Sequence, residues 1–148
     1  MKNMAEICEF TEQHIRYGRR FRNFEFTIRN NLDAISHATC TMAIDVDAKA
    51  MVVCSVSGTT ARMVSRFRSP VDIIGMTTIE KVWRKLALSW GVTPVLTEEF
   101  NSMDVMFYTG KKAAAKTLGL KPGDNVVLTG GPINGQTGNT TTIKLEQI

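Results

Sequence analysis

Cysteine is scarce in this chain, and its placement excludes two kinds of site. Cys8, Cys40 and Cys54 are odd in number, far apart and contain no C-x-x-C pair, so neither a disulfide framework nor a zinc site is expected. That usage fits a reducing compartment, and the cytoplasm is the expected location. Histidine is limited to His14 and His37, with no H-E-x-x-H run and no nucleophile elbow, so no triad or metal centre can be assembled from neighbouring positions. Long apolar runs are missing too: the stretches at 50–54 and 126–128 stop far short of the ~20 residues a membrane span needs. Met1 is followed by no secretory pattern, and the protein is expected to be soluble and unprocessed.

What is present is one domain's worth of material. With 148 residues, 43% of them hydrophobic, the chain is long enough to bury a real core. Its +4 formal charge and pI near 9.1 come largely from Arg16, Arg19, Arg20 and Arg22. A docking or solvated segment is the plain reading of this cluster. The interleaved Tyr17 and Phe21 leave a nucleic-acid-binding module as the alternative.

Periodicity predicts a helix over 3–15, with Met4, Ile7, Cys8 and Phe10 on one side. It predicts a second to about residue 44, with Ile28, Leu32, Ile35, Thr39 and Met42 sharing a face. Short β-rich runs follow at 51–55, 71–75, 93–96 and 125–129, separated by amphipathic stretches, which indicates βα units around a parallel sheet. Thr77 and Glu80 have capping-box spacing before a helix carrying Val82, Trp83, Leu86 and Trp90, and Gly91 is placed to end it. Both tryptophans are read as core. A further helix over 102–118 puts Met103, Met106, Phe107, Gly110 and Ala114 on one face. A tight turn at 121–124 feeds the fourth strand, and alternation over 140–146 marks a last strand antiparallel at an edge.

Two segments could bind a ligand. Ser55, Val56, Ser57, Gly58, Thr59 and Thr60 follow a buried strand and open a helix whose inner side carries Val64 and Phe67. Free N–H groups, the helix dipole and several hydroxyls are the parts of a phosphate cradle, although Ser and Thr also serve as ordinary N-caps. The second is the glycine-rich stretch 129–140. It is not a P-loop, because Gln136 stands at the lysine position and a β-type segment follows where a helix is required. It could instead close over a ligand held near Gly58, since open α/β sheets bind ligands at strand ends; a long hairpin-like connection is the plain alternative.

The run 50–62 resembles the first strand and effector loop of the C-terminal domain of pyruvate kinases. The blocks 86–96, 119–127, 129–132 and 140–145 continue the likeness in order. The resemblance covers most of 28–148. It implies a three-layer α/β/α sandwich around a five-stranded mixed sheet. Residues 1–22 would be the end of a catalytic-barrel helix and linker, and 23–148 the C-terminal domain. It further implies that residues 55–60 hold an effector phosphate, while Gly131, Pro132, Asn134, Gly135, Gln136, Thr137 and Gly138 form the loop that closes over it. The effector would be a sugar phosphate or nucleotide. The phosphotransfer from phosphoenolpyruvate to ADP, with its magnesium and potassium, would belong to a catalytic domain of the same enzyme, leaving this domain inactive and without a cofactor. The last strand would join subunits of a homo-oligomer. An independent flavodoxin-like enzyme is the remaining alternative, and it has no nucleophile or acid–base pair to work with.

Overall fold

The computed structural model describes residues 2–133 and 139–148. Five strands form one sheet in the order β3-β2-β1-β4-β5: β1 (Ala50–Cys54), β2 (Asp72–Thr77), β3 (Val92–Leu96), β4 (Asn125–Gly130) and β5 (Thr142–Gln147). The first four are parallel. β5 returns antiparallel along β4, with Val127 opposite Leu145. The three inner strands are apolar almost throughout and buried on both faces, whereas β3 and β5, at the edges, are largely half-exposed. The expected mixed sheet with an antiparallel edge strand is therefore present.

Alternation along the strands divides the core into two layers. Met51, Val53, Ile73 and Val127 face α3 (Asn31–Asp45), α4 (Thr59–Arg66) and α5 (Glu80–Leu86). Val52, Ile74, Met76 and Leu128 face the single helix α6 (Met103–Leu118). Ser102 caps α6 by accepting from the Val105 N–H at 3.2 Å, and Gly119 ends it in the left-handed region. Gly110 lets this helix lie close to the sheet: a methyl there would stand 2.7 Å from Val52 Cγ1. Among the described residues, no helix is long and apolar enough to cross a membrane.

Three local expectations need correction. The buried stripe of α3 is Asp33, Ser36, Thr39, Cys40 and Ala43, while Leu32, Ile35 and Met42 are half-exposed and Ile28 precedes the helix. Short side chains permit close contact with α4 and the sheet. The carboxylate of Asp33 is buried because it accepts from Arg66 Nη2 at 3.0 Å and the Arg29 N–H at 3.2 Å. The Thr77–Glu80 capping box does not form, since Thr77 is the last residue of β2 and α5 begins at Glu80 after Ile79. Glu80 instead pairs with Arg84 one turn on. Nor does Gly91 end this helix directly: a turn intervenes, and Gly91, at φ +67°, leads into β3.

The N-terminal segment comprises α1 (Lys2–His14) and α2 (Tyr17–Asn23). α1 forms where periodicity places it, yet none of its residues is buried. α2 anchors the segment. Phe21 enters the core, stacking on His37 at 5.3 Å, and Tyr17 packs against Trp90 at 4.9 Å. Both tryptophans are half-buried rather than core: Trp83 donates to the Pro94 carbonyl and Trp90 to Glu12 of α1, each at 3.1 Å. With Phe21 buried and Tyr17 packed, the two aromatics of the arginine cluster are not free to stack on bases.

Candidate functional site

β1 connects to β2 on one side and lies beside the parallel β4 on the other, so the order in which strands are added to the sheet reverses between β1 and β4, whose C-terminal ends lie side by side. Crevices open at such points because the connections diverge to either side. Both candidate segments leave the sheet there. Ser55 continues β1, its N–H donating to the Met76 carbonyl at 3.0 Å. Gly58, at φ +72°, then turns the chain into α4, where a side chain would be strained and a methyl would lie 2.8 Å from Val82 Cγ1.

The hydroxyls on this turn are organised by one another. Ser57 Oγ and Thr59 Oγ1 are 3.0 Å apart, the Thr59 N–H donates to Ser57 Oγ at 3.4 Å, and Arg62 Nη2 donates to Thr59 Oγ1 at 3.3 Å. A guanidinium therefore stands over a turn that already carries free helix N–H groups, a combination suited to an anion. Thr60 points the other way and is buried. Its hydroxyl meets that of Thr140 at 2.7 Å, tying the start of α4 to the limb that returns from the glycine-rich stretch.

These segments enclose a cleft of about 340 Å³. Ser55, Val56, Thr60, Gly131 and Pro132 line it, whereas Ser57, Gly58 and Thr59 form the turn beside it. Asn134, Gly135, Gln136, Thr137 and Gly138 lie outside the described residues. The limbs on either side of them come close: a methyl on Gly131 would run into the Asn139 carbonyl. Volume alone does not single out this cleft, because hollows of about 370 and 360 Å³ lie beside Phe21 and Phe24. Its position at the strand ends and its many hydroxyls do.

Thr77, Thr78 and Thr97 also line the cleft and escaped the sequence reading. Thr77 donates to the Val56 carbonyl at 2.9 Å and accepts from the Ile79 N–H, and its carbonyl accepts from the Thr97 N–H at 3.0 Å. It thus braces the turn after β1 from the end of β2. The available signal was a hydroxyl residue just at or past the ends of β1, β2 and β3. Phe100 and Met106 supply an apolar wall, and Glu99 lines the cleft as well. Cys54 is present but inert, since burial pushes its thiol up to about 12 and keeps it protonated at neutral pH.

Comparison with known proteins agrees with this architecture. Residues 33–146 match the family model described as pyruvate kinase, alpha/beta domain. The pyruvate kinase of Clostridium acetobutylicum is 35% identical over 146 residues, covering 98% of this chain and 31% of that protein. That of Geobacillus stearothermophilus is 35% identical over 152 residues, covering all of this chain and 25% of the relative. In Lactococcus lactis subsp. lactis the identity is 38% over 103 residues, 70% of this chain and 20% of the relative. The chain thus spans less than a third of the length of these relatives. A family match across 33–146, on a five-stranded mixed sheet, places this chain in the pyruvate kinase family as its C-terminal alpha/beta domain.

Proposed function

We propose that this domain binds a phosphorylated effector, a sugar phosphate or nucleotide, and contributes to subunit assembly of a cytoplasmic glycolytic enzyme. The phosphate transfer from phosphoenolpyruvate to ADP, with its magnesium and potassium, is assigned to a catalytic domain of the same enzyme. Residues 1–22 lead toward that domain, and 23–148 make up the regulatory one. The observation that carries the reading is the 2.7 Å bond between Thr60 and Thr140. It joins the hydroxyl-bearing turn to the glycine-rich connection at the mouth of a cleft located where α/β sheets take ligands. In this reading Ser57, Thr59, the first N–H groups of α4 and Arg62 receive the phosphate. The cleft holds the body of the effector, beside the limb at Gly131 and Pro132.

Assembly is supported by the outer edge of β5, whose backbone groups have no neighbouring strand among the described residues. Calorimetric titration of the chain with fructose 1,6-bisphosphate, ribose 5-phosphate, glucose 6-phosphate and AMP tests effector binding. One or more should bind saturably, and Ser57→Ala should weaken binding roughly tenfold or more, the usual cost of a lost hydrogen bond to a charged group. If none binds, the effector role is withdrawn and assembly through β5 remains.

A further inference from the structure

A separate hollow of about 360 Å³ opens at the far end of α4 from Gly58. Arg66 is the last residue of that helix, so its eight residues put about 12 Å between the hollow and the hydroxyl-bearing turn. Four arginines line the hollow, Arg20, Arg29, Arg66 and Arg68, and no aspartate or glutamate does. Arg66 is paired with Asp33 at 3.0 Å, whereas Arg20, Arg29 and Arg68 meet no carboxylate among the described residues. Arg68 follows the cap of α4 at φ +53°, a place where the backbone favours glycine. The chain accepts that strained conformation and gains a fourth cation on the rim.

The rest of the lining is aromatic. The Phe26 ring lies 5.2 Å from Phe21, 4.8 Å from Phe24 and, edge-on, 4.9 Å from Phe67, so the rings hold one another in place. Phe24 is nevertheless 57% exposed. A lone apolar side chain at the surface is ordinary, but this open ring sits among arginines that lack counter-charges. Like charges gathered at one place repel until an anion joins them, and the ring stays wet until a flat apolar group covers it. Three guanidinium groups without a carboxylate match the charge of about −1.5 to −2 on a phosphate monoester better than the single charge of a carboxylate, and arginine grips phosphate oxygens with two parallel N–H bonds. We propose that this hollow binds a small aromatic phosphate monoester. Arg20, Arg29 and Arg68 receive the phosphate, and the ring of the ligand lies against Phe24 and Phe26. A volume at the small end of the range for ligand pockets suits one ring and one phosphate. The site is distinct from the cleft at the strand ends and stands whether or not the effector reading holds.

Calorimetry on the full chain at fixed ionic strength decides it, with phenyl phosphate as the probe and glycerol phosphate as its counterpart of equal charge without a ring. Phenyl phosphate should bind saturably and about tenfold more tightly than glycerol phosphate, the gain from covering one aromatic face. Replacing both Arg20 and Arg29 by glutamine should weaken both probes about tenfold or more. The two arginines are exposed, so the variant should fold, as circular dichroism would verify. Phe24→Leu should reduce the preference for phenyl phosphate to about threefold and leave glycerol phosphate unchanged. Ser57→Ala, at the other end of α4, should alter phenyl phosphate binding less than about twofold. Absence of saturable phenyl phosphate binding overturns the inference, as does equal affinity for the two probes or binding indifferent to the paired arginine change. Loss of phenyl phosphate binding in Ser57→Ala overturns it too, by placing the probe at the effector turn.

Discussion

Helices α1 and α6 carry similar apolar patterns and meet opposite fates. Met106, Phe107, Gly110 and Ala114 of α6 are buried against β1, β2 and β4. Met4, Ile7 and Phe10 of α1 are 64–67% exposed. Periodicity states that a helix has an apolar face. It does not state what covers that face, which depends on whether a complementary surface lies within reach of the connecting chain. α6 has the lower face of the sheet as such a surface. α1 is joined to the domain through α2, and its own direct tie is the bond from Trp90 to Glu12.

The largest test of this contrast removes the ring at Phe107, which is 3% exposed. Phe107→Ala should cost about 3–4 kcal/mol in urea unfolding, combining lost burial with a cavity that the single covering helix cannot fill. A loss below about 1 kcal/mol would mean that α6 packs far more loosely than its contacts imply.

A smaller effect tests the polar side of the same helix. Lys144 and then Lys111, whose amino groups lie 2.6 and 2.9 Å from Glu146, hold its carboxyl below the usual carboxylate range. A carboxyl with a lowered folded value binds fewer protons in the native state. Its contribution is therefore complete above the ordinary glutamate range and is lost as pH falls through the folded value. Glu146→Gln should reduce stability by roughly 0.5 kcal/mol at pH 7, and the difference from the unmodified chain should vanish toward pH 3 in pH-resolved melting. A difference that grows on acidification would contradict the pairing.

The smallest expected effect belongs to α1. Ile7→Ala combined with Phe10→Ala should change domain stability by no more than about 0.5 kcal/mol, because the side chains removed are already in water. A loss above about 1.5 kcal/mol in the same urea experiment would show that this face is covered in solution, and the contrast with α6 would fail.

The inner strands were legible because residues buried on both sheet faces leave a continuous apolar signature, as in Ala50–Cys54. The ends of α6 were legible because caps act locally through Ser102 and Gly119. α3 was read partly correctly: Thr39 of the expected face is buried and Met42 packs against the core, but Leu32 and Ile35 are half-exposed while small and polar residues that permit closer packing fill the rest of the buried stripe, and its buried Asp33 is balanced by Arg66, 33 positions further on. No local pattern encodes that pairing. The candidate site divides in the same way. The turn through Gly58 and the glycine-rich stretch announce themselves by composition, whereas Thr77, Thr78 and Thr97 are single residues that become a wall when the ends of β2 and β3 lie side by side.

By itself the sequence determined the order of the strands, that of the helices apart from α2, and the hydroxyl-bearing turn at the start of α4, all properties of neighbouring residues. The tertiary structure decided which face of α3 is buried, that α1 is left uncovered and that Thr60 meets Thr140. Each depends on residues far apart in the chain being brought to one place by the sheet, and short-range chemistry has no means of specifying that.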